Sequence, residues 1–214
     1  MIRTLLLFTR DLRVHDHPAL HEAARSGEVV PLFVLHRPML DASANRARFL
    51  VQALADLDDS LRRRGSRLHV RTGEPAVEAA KLARTTGCDT LAVTADFSRT
   101  ATRREHALEE ACADPRIRFR PTPGHAIVEP GAVAPEGRDH YSVFTPYLRA
   151  WLGQRRRTPL PAPRTIRTPG GIDAGTLPGP PEGDSPDMPL GGETAGRKAL
   201  STFAAGPATH GGRA

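Results

Sequence analysis

Short apolar runs alternate with helical patterns over the first 120 residues, which predicts an α/β fold. The expected form is a Rossmann-like five-stranded parallel sheet with helices on both faces, followed by a Pro/Gly-rich extended tail. Two further observations support that class. Gly27, Gly65 and Gly87 each follow a helical stretch where a left-handed C-cap residue is wanted, and each is soon followed by the next apolar run. Beyond about Trp151 the pattern stops: Thr158 to Pro189 holds nine prolines and five glycines and shows no periodicity.

The elements follow in order. Thr4 to Phe8 (TLLLF) is the first strand, and Pro18 suits the first position of the helix after it. Val29 to Leu35 is the second strand, although Pro31 argues against a central place because proline cannot donate to a ladder. A long helix over about Asn45 to Arg64 sets Leu50, Leu54, Leu57 and Leu61 on one face as core packing. Its acids Asp56, Asp58 and Asp59 precede Arg62 to Arg64 at spacings that suit i,i+4 pairs. Leu68 to Arg71 and Thr90 to Ala95 read as the third and fourth strands, and Ile117 to Arg120 as a weaker fifth. The Pro/Gly-rich stretch has too few apolar side chains to fold alone, so it either drapes over the first domain or is disordered. Gly191 to Phe203 begins a helix with Thr194 as its cap and nothing following for it to pack on.

At 214 residues the chain suffices for one well-buried domain and a tail. No run approaches the ~18 consecutive apolar residues of a membrane span, and Arg10 and Asp11 arrive too early for a secretory signal, so a cytoplasmic protein without membrane contact is expected. Cys88 and Cys112 lie far apart with no Cys/His cluster, which indicates no disulfide framework or zinc site and reads as two small buried apolar residues. The net charge of +6 suggests an anionic partner. Against that, only Lys81 and Lys198 of the thirty basic residues are lysines, a bias shared with the abundant Ala, Gly and Pro. Arg155, Arg156, Arg157, Arg164 and Arg167 occur between Leu152 and Ile172 with no acid, a run that reads as a solvated linker or as a weak nucleic-acid contact.

Ligands of parallel α/β sheets bind outside the carboxyl ends of the strands, which draws attention to Arg10, Asp11 and Arg13 after the first strand. Either these charges meet an anionic ligand, or Asp11 pairs with a neighbouring arginine and pins the loop. No GxGxxG or P-loop pattern is present. His15 and His17 would need a further ligand to hold a metal, and none is evident; His17 belongs at the start of the helix opened by Pro18. Asp96 ends the fourth strand on the same ligand face, with Arg103, Arg104 and Glu105 one or two turns into the next helix. Asp96 either accepts from the polar edge of a ligand ring or caps that helix. No nucleophilic set and no paired catalytic carboxylates can be assembled, so no catalytic residue and no metal ligand is assigned.

Three ordered stretches carry a family resemblance: LFTRDLRVHDHPAL (Leu7 to Leu20), YSVFTPYLRAW (Tyr141 to Trp151) and GGETAGRKALSTF (Gly191 to Phe203). Together they resemble the photolyase/cryptochrome family, light-driven DNA repair enzymes and their relatives, without separating the two. The resemblance implies domains over 1–150 (α/β, antenna-binding), 151–190 (interdomain linker) and 191–214 (the start of a truncated helical FAD-binding domain). It implies an antenna chromophore, 8-hydroxy-5-deazaflavin or methenyltetrahydrofolate, held by Arg10, Phe33, Val34, Arg46, Asp96 and Phe97. Thr9 stands where the family commonly has another basic or polar residue, and His36 and Ser98 where the deazaflavin class tends to show acids.

In the full-length family, deoxyribodipyrimidine photo-lyase chemistry belongs to FAD in the helical domain, acting on UV-damaged DNA. This chain is expected to lack that domain, to bind no FAD, to bind DNA weakly or not at all, and to be incompetent in repair by itself. The alternative is a free-standing module of the same fold that binds a nucleotide-like ligand or docks a protein without catalysis.

Overall fold

The computed structural model describes residues 1–36, 38–41, 43–179, 183 and 185–206. Its five strands are β1 (Ile2–Phe8), β2 (Gly27–Leu35), β3 (His69–Thr72), β4 (Thr90–Thr94) and β5 (Arg118–Thr122), all parallel in the order β3-β2-β1-β4-β5. The helices are α1 (Pro18–Ser26), α2 (Pro38–Asp41), α3 (Ala44–Arg62), α4 (Pro75–Thr85), α5 (Arg99–Ala111), α6 (Phe144–Leu152) and α7 (Glu193–Ala205).

Successive residues of β1 serve opposite faces of the sheet. Leu6 and Phe8 join Leu20 of α1 and Leu54, Leu57 and Leu61 of α3 in one core. Leu5 and Leu7 join Ala79 and Leu82 of α4 and Leu108 of α5 in the other. Burial on both faces is why β1 reads as an unbroken apolar run. Both cysteines are buried in the second core, and burial raises the Cys88 thiol to about 11.

The expected left-handed C-caps hold at Gly65 (φ 84°) and Gly87 (φ 63°) but not at Gly27. Gly27 is extended, with φ 164°, and opens β2 opposite Ile2. It is glycine for a different reason: a Cβ there would lie 1.9 Å from the Ile2 carbonyl oxygen. Pro31 sits inside central β2 without loss because β3 begins only at the level of Leu32, paired with His69. The Pro31 carbonyl instead accepts from Nδ1 of the buried His69 at 3.0 Å.

The Pro/Gly-rich stretch drapes over the domain and forms neither helix nor strand in its described part, apart from one isolated bridge between Arg167 and Glu28. Ile166 is fully buried in the α1/α3 core and donates its N–H to Arg64 O at 2.8 Å. Val29 N–H donates to Arg167 O and Val70 N–H to Ala174 O, each at 2.7 Å. The exposed backbone edges of β2 and β3 are thereby satisfied by a chain that has no regular pattern of its own.

The last helix also differs from expectation. Its cap is Gly192 (φ 109°) rather than Thr194, and it does have something to pack on, since it lies against α3. Asp56 Oδ2 accepts from Thr194 N–H at 2.9 Å and Gln52 Oε1 from Gly191 N–H at 2.8 Å. The Glu193 carboxylate reaches the loop after β1, accepting from Val14 N–H at 2.9 Å and His15 N–H at 3.1 Å.

Candidate functional site

Chain order along the sheet reverses between β1 and β4, so their carboxyl ends flank the topological switch point where α/β sheets bind ligands. The loop leaving β1 is fixed there by a buried polar network. Asp11, His17 and Thr94 are each at most 2% exposed. His17 is the N-cap of α1, accepting at Nδ1 from Leu20 N–H at 3.1 Å. That acceptance leaves the ring proton on Nε2, which lies 2.8 Å from Asp11 Oδ2. Thr94 Oγ1 donates to the same carboxylate oxygen, and Thr9 N–H to the other at 3.3 Å. Burial alone would raise the Asp11 pKa, but His17, Thr94 and Thr9 together hold it well below the usual carboxylate range. Asp11 therefore pairs with histidine and threonine and not with an arginine neighbour. Arg13 instead ties the loop by donating to the carbonyls of Asp16 (2.9 Å) and Gly124 (3.3 Å).

Asp96, after β4, accepts from Arg10 Nη1 at 2.9 Å and from Ser98 N–H at 2.9 Å. It does not cap α5; Ser98 does, accepting from Ala101 N–H. Burial opposes ionisation of Asp96, and the Ser98 amide and the Arg10 guanidinium outweigh it, lowering its pKa.

Two adjoining hollows open at this end of the sheet and share Thr9 and Arg10. The smaller, about 80 Å³, runs between the ends of β1 and β2 and is walled by Phe33, Val34, Pro75 and Arg104. The larger, about 820 Å³, lies along α3 against Arg46, Phe49, Leu50 and Met188. Of the residues singled out in the sequence, Arg10, Phe33 and Val34 thus line one hollow, and Arg10 and Arg46 the other. Asp96 joins them through Arg10. Phe97 stands apart, 68% exposed and lining neither.

Thr9, Arg104 and Met188 were not legible as site residues. Arg104 showed only as a helical arginine, and Met188 sits in the patternless tail. Leu50, the first of the core leucine stripe, is half-buried and lines the larger hollow, while Leu54, Leu57 and Leu61 are at most 1% exposed. No group of three or more metal-ligating side chains occurs among the described residues.

A five-stranded parallel sheet in the order 3-2-1-4-5, flanked by helices, defines an α/β domain of the architecture whose ligands generally bind at the strand-end switch point. The DNA photolyase family profile matches residues 4–164, and the chain belongs to that family. The deoxyribodipyrimidine photo-lyase of Streptomyces griseus is 44% identical over 213 residues, covering 95% of this chain and 46% of that protein. A cryptochrome DASH of Natronomonas pharaonis is 30% identical over 222 residues, covering 95% and 47% respectively. A class III photolyase structure from Agrobacterium tumefaciens superposes with a TM-score of 0.83 at 25% identity, covering 94% of this chain and 44% of that one. The Synechocystis cryptochrome, at TM-score 0.82 and 24% identity, shares the fold. The chain spans about half the length of the curated relatives it matches, corresponding to their N-terminal region. No described helix is long and apolar enough to cross a membrane.

Proposed function

We propose that this chain is the chromophore-binding α/β portion of a light-dependent photolyase-type protein, with domain limits near 150 and 190. The observation that carries the reading is the pair of hollows sharing Thr9 and Arg10 at the strand ends. A planar chromophore fits that arrangement: apolar walls from Phe33, Val34 and Leu50 exclude water from its faces, while Arg10, Arg46 and Asp96 orient its polar edges. When bound, such a group supplies light absorption and transfers excitation energy onward. The two chromophores weighed are 8-hydroxy-5-deazaflavin and methenyltetrahydrofolate.

Fluorescence titration of the purified chain with each of them tests the assignment. Saturable binding of one is expected, and binding of neither rejects it. Arg10→Ala and Asp96→Ala are each expected to weaken binding by roughly 1–3 kcal/mol, the range for losing a hydrogen bond to a charged group. Unchanged affinity in both variants would move the site away from this end of the sheet.

The second expectation concerns the redox reaction. The purified chain is expected to carry no flavin and to repair no thymine dimers under near-ultraviolet light, because the redox cofactor supplies that chemistry. Stoichiometric FAD absorbance in the isolated chain would refute it. UV-damaged DNA is accordingly proposed as a partner of the whole photolyase assembly, with weak or no binding by this portion.

A further inference from the structure

We propose that Gly191, Gly192 and Glu193 form a clip between the loop after β1 and helix α3, so that the order of that loop and the docking of α7 are one coupled equilibrium. An acid in the first turn of a helix stabilises it through the helix dipole with its side chain in solvent. Glu193 instead turns its carboxylate onto another element, and its side chain is only 11% exposed. Its Oε2 accepts from Val14 N–H at 2.9 Å and its Oε1 from His15 N–H at 3.1 Å, with His15 Nδ1 3.0 Å from the same Oε1. Successive backbone N–H groups that converge make a cradle for an anion. Here the chain itself supplies that anion, from 178 positions beyond His15.

The other side of the clip seats on α3. Gly191 N–H donates to Gln52 Oε1 at 2.8 Å and Thr194 N–H to Asp56 Oδ2 at 2.9 Å. A Cβ on Gly191 would lie 2.2 Å from Phe49 O, and one on Gly192, whose φ is 109°, would lie 2.7 Å from Asp56 Cβ. So close a seat requires both glycines. The body of α7 adds little, since none of its residues is buried, and the helix is therefore held by polar contacts at its first turn. Contacts of that kind open without unfolding the core. The two elements so joined are the walls of the larger hollow: Thr9, Arg10 and Leu12 come from the loop, and Arg46, Phe49 and Leu50 from α3. A compound resting on both walls favours the clipped state and, by reciprocity, orders α7. The clip stands on the protein's own contacts, whichever ligand the hollow takes.

Residue-resolved amide hydrogen exchange on the full chain, without ligand, tests the coupling from both ends. Gly191→Ala and Asp56→Ala leave the Glu193 carboxylate and the loop in place, yet each should speed exchange at Val14 and His15 by at least about tenfold, the factor for losing a hydrogen bond to a charged group. Glu193→Ala, which removes no contact to α3, should in turn speed exchange at Gly191 and Thr194. Glu193→Gln keeps one acceptor and should give an intermediate effect. Asp16 N–H, bonded to Leu160 O at 2.8 Å, and Val29 N–H, bonded to Arg167 O at 2.7 Å, report on the rest of the domain and should exchange as in the parent. Unchanged exchange at Val14 and His15 in both Gly191→Ala and Asp56→Ala would overturn the clip, as would unchanged exchange at Gly191 and Thr194 in Glu193→Ala. Equal acceleration of Asp16 and Val29 would overturn it as well, because the contacts would then open only with the whole fold.

Discussion

Asp11→Ala is expected to destabilise the fold by about 3–5 kcal/mol, the summed cost of leaving several buried polar groups without their carboxylate partner. The carboxylate lies 2.8 Å from His17 Nε2 and accepts from Thr94 Oγ1 and Thr9 N–H, and all but one of the four residues are nearly inaccessible to water. Removing it orphans donors on the end of β1, the end of β4 and the start of α1 at once, so no small local shift restores them. Asp11→Asn should cost less, about 1–3 kcal/mol, since the amide keeps one acceptor and loses the charge. Urea denaturation of parent and variants gives the difference, and a loss below about 1 kcal/mol for Asp11→Ala would show that the network is not structural. The same group sets an acid limit. Its folded pKa lies below its unfolded value, so the stability it contributes is complete above pH ~4 and declines as the pH falls towards the folded pKa. The parent should lose stability steeply below pH ~4, and Asp11→Asn should show a shallower loss over that window.

That network also marks where sequence reading stopped. The strand runs, the long α3 and the ligand face were legible because burial on both faces of a parallel sheet leaves continuous apolar segments, and helices leave a 3.6-residue period. Pro18 at the first helical turn and His17 just before it were legible as a helix start. The pairing of His17 with Asp11 was not, because nothing local says that the loop folds back to place residues 11 and 17 together with Thr94, 83 positions along the chain from Asp11. Gly27 shows the same limit. Its position after a helix suggested a C-cap, while the actual demand, a close approach by the Ile2 backbone, comes from the neighbouring strand. Arg10 and Asp96 stood out as charges at strand ends, yet Arg104, whose side chain lines the smaller hollow, looked like any other arginine in a basic helix. Composition was least informative in the tail. Proline and glycine marked it as irregular, and irregular backbone is compatible equally with disorder and with a fixed strap.

Ile166 decides between those two states, and Ile166→Ala is expected to cost about 2–5 kcal/mol, the range for emptying a buried aliphatic site. The side chain is wholly inaccessible and packs in the core under α1 and α3, so its loss leaves a cavity that the β2 and α3 leucines cannot fill without moving. Around it the strap is held by Arg157, which pairs with both carboxylate oxygens of Asp16, and by Arg64 Nε donating to Pro163 O at 3.0 Å. Asp16 has φ 49°, a left-handed conformation that an aspartate tolerates when its neighbours fix it, and Leu160 does so with hydrogen bonds in both directions. Gly175 lies so close to β3 that a Cβ would fall 2.1 Å from Val70 O. Limited trypsin digestion should therefore spare Arg164 and Arg167 in the parent and cut first at the exposed Arg138. In Ile166→Ala the two strap sites should become early cuts, because local opening no longer has to extract a buried side chain from the core. If the parent were cut at Arg164 and Arg167 as fast as at Arg138, the strap would not be part of the folded domain, and the boundary near residue 150 would coincide with the end of its stable structure.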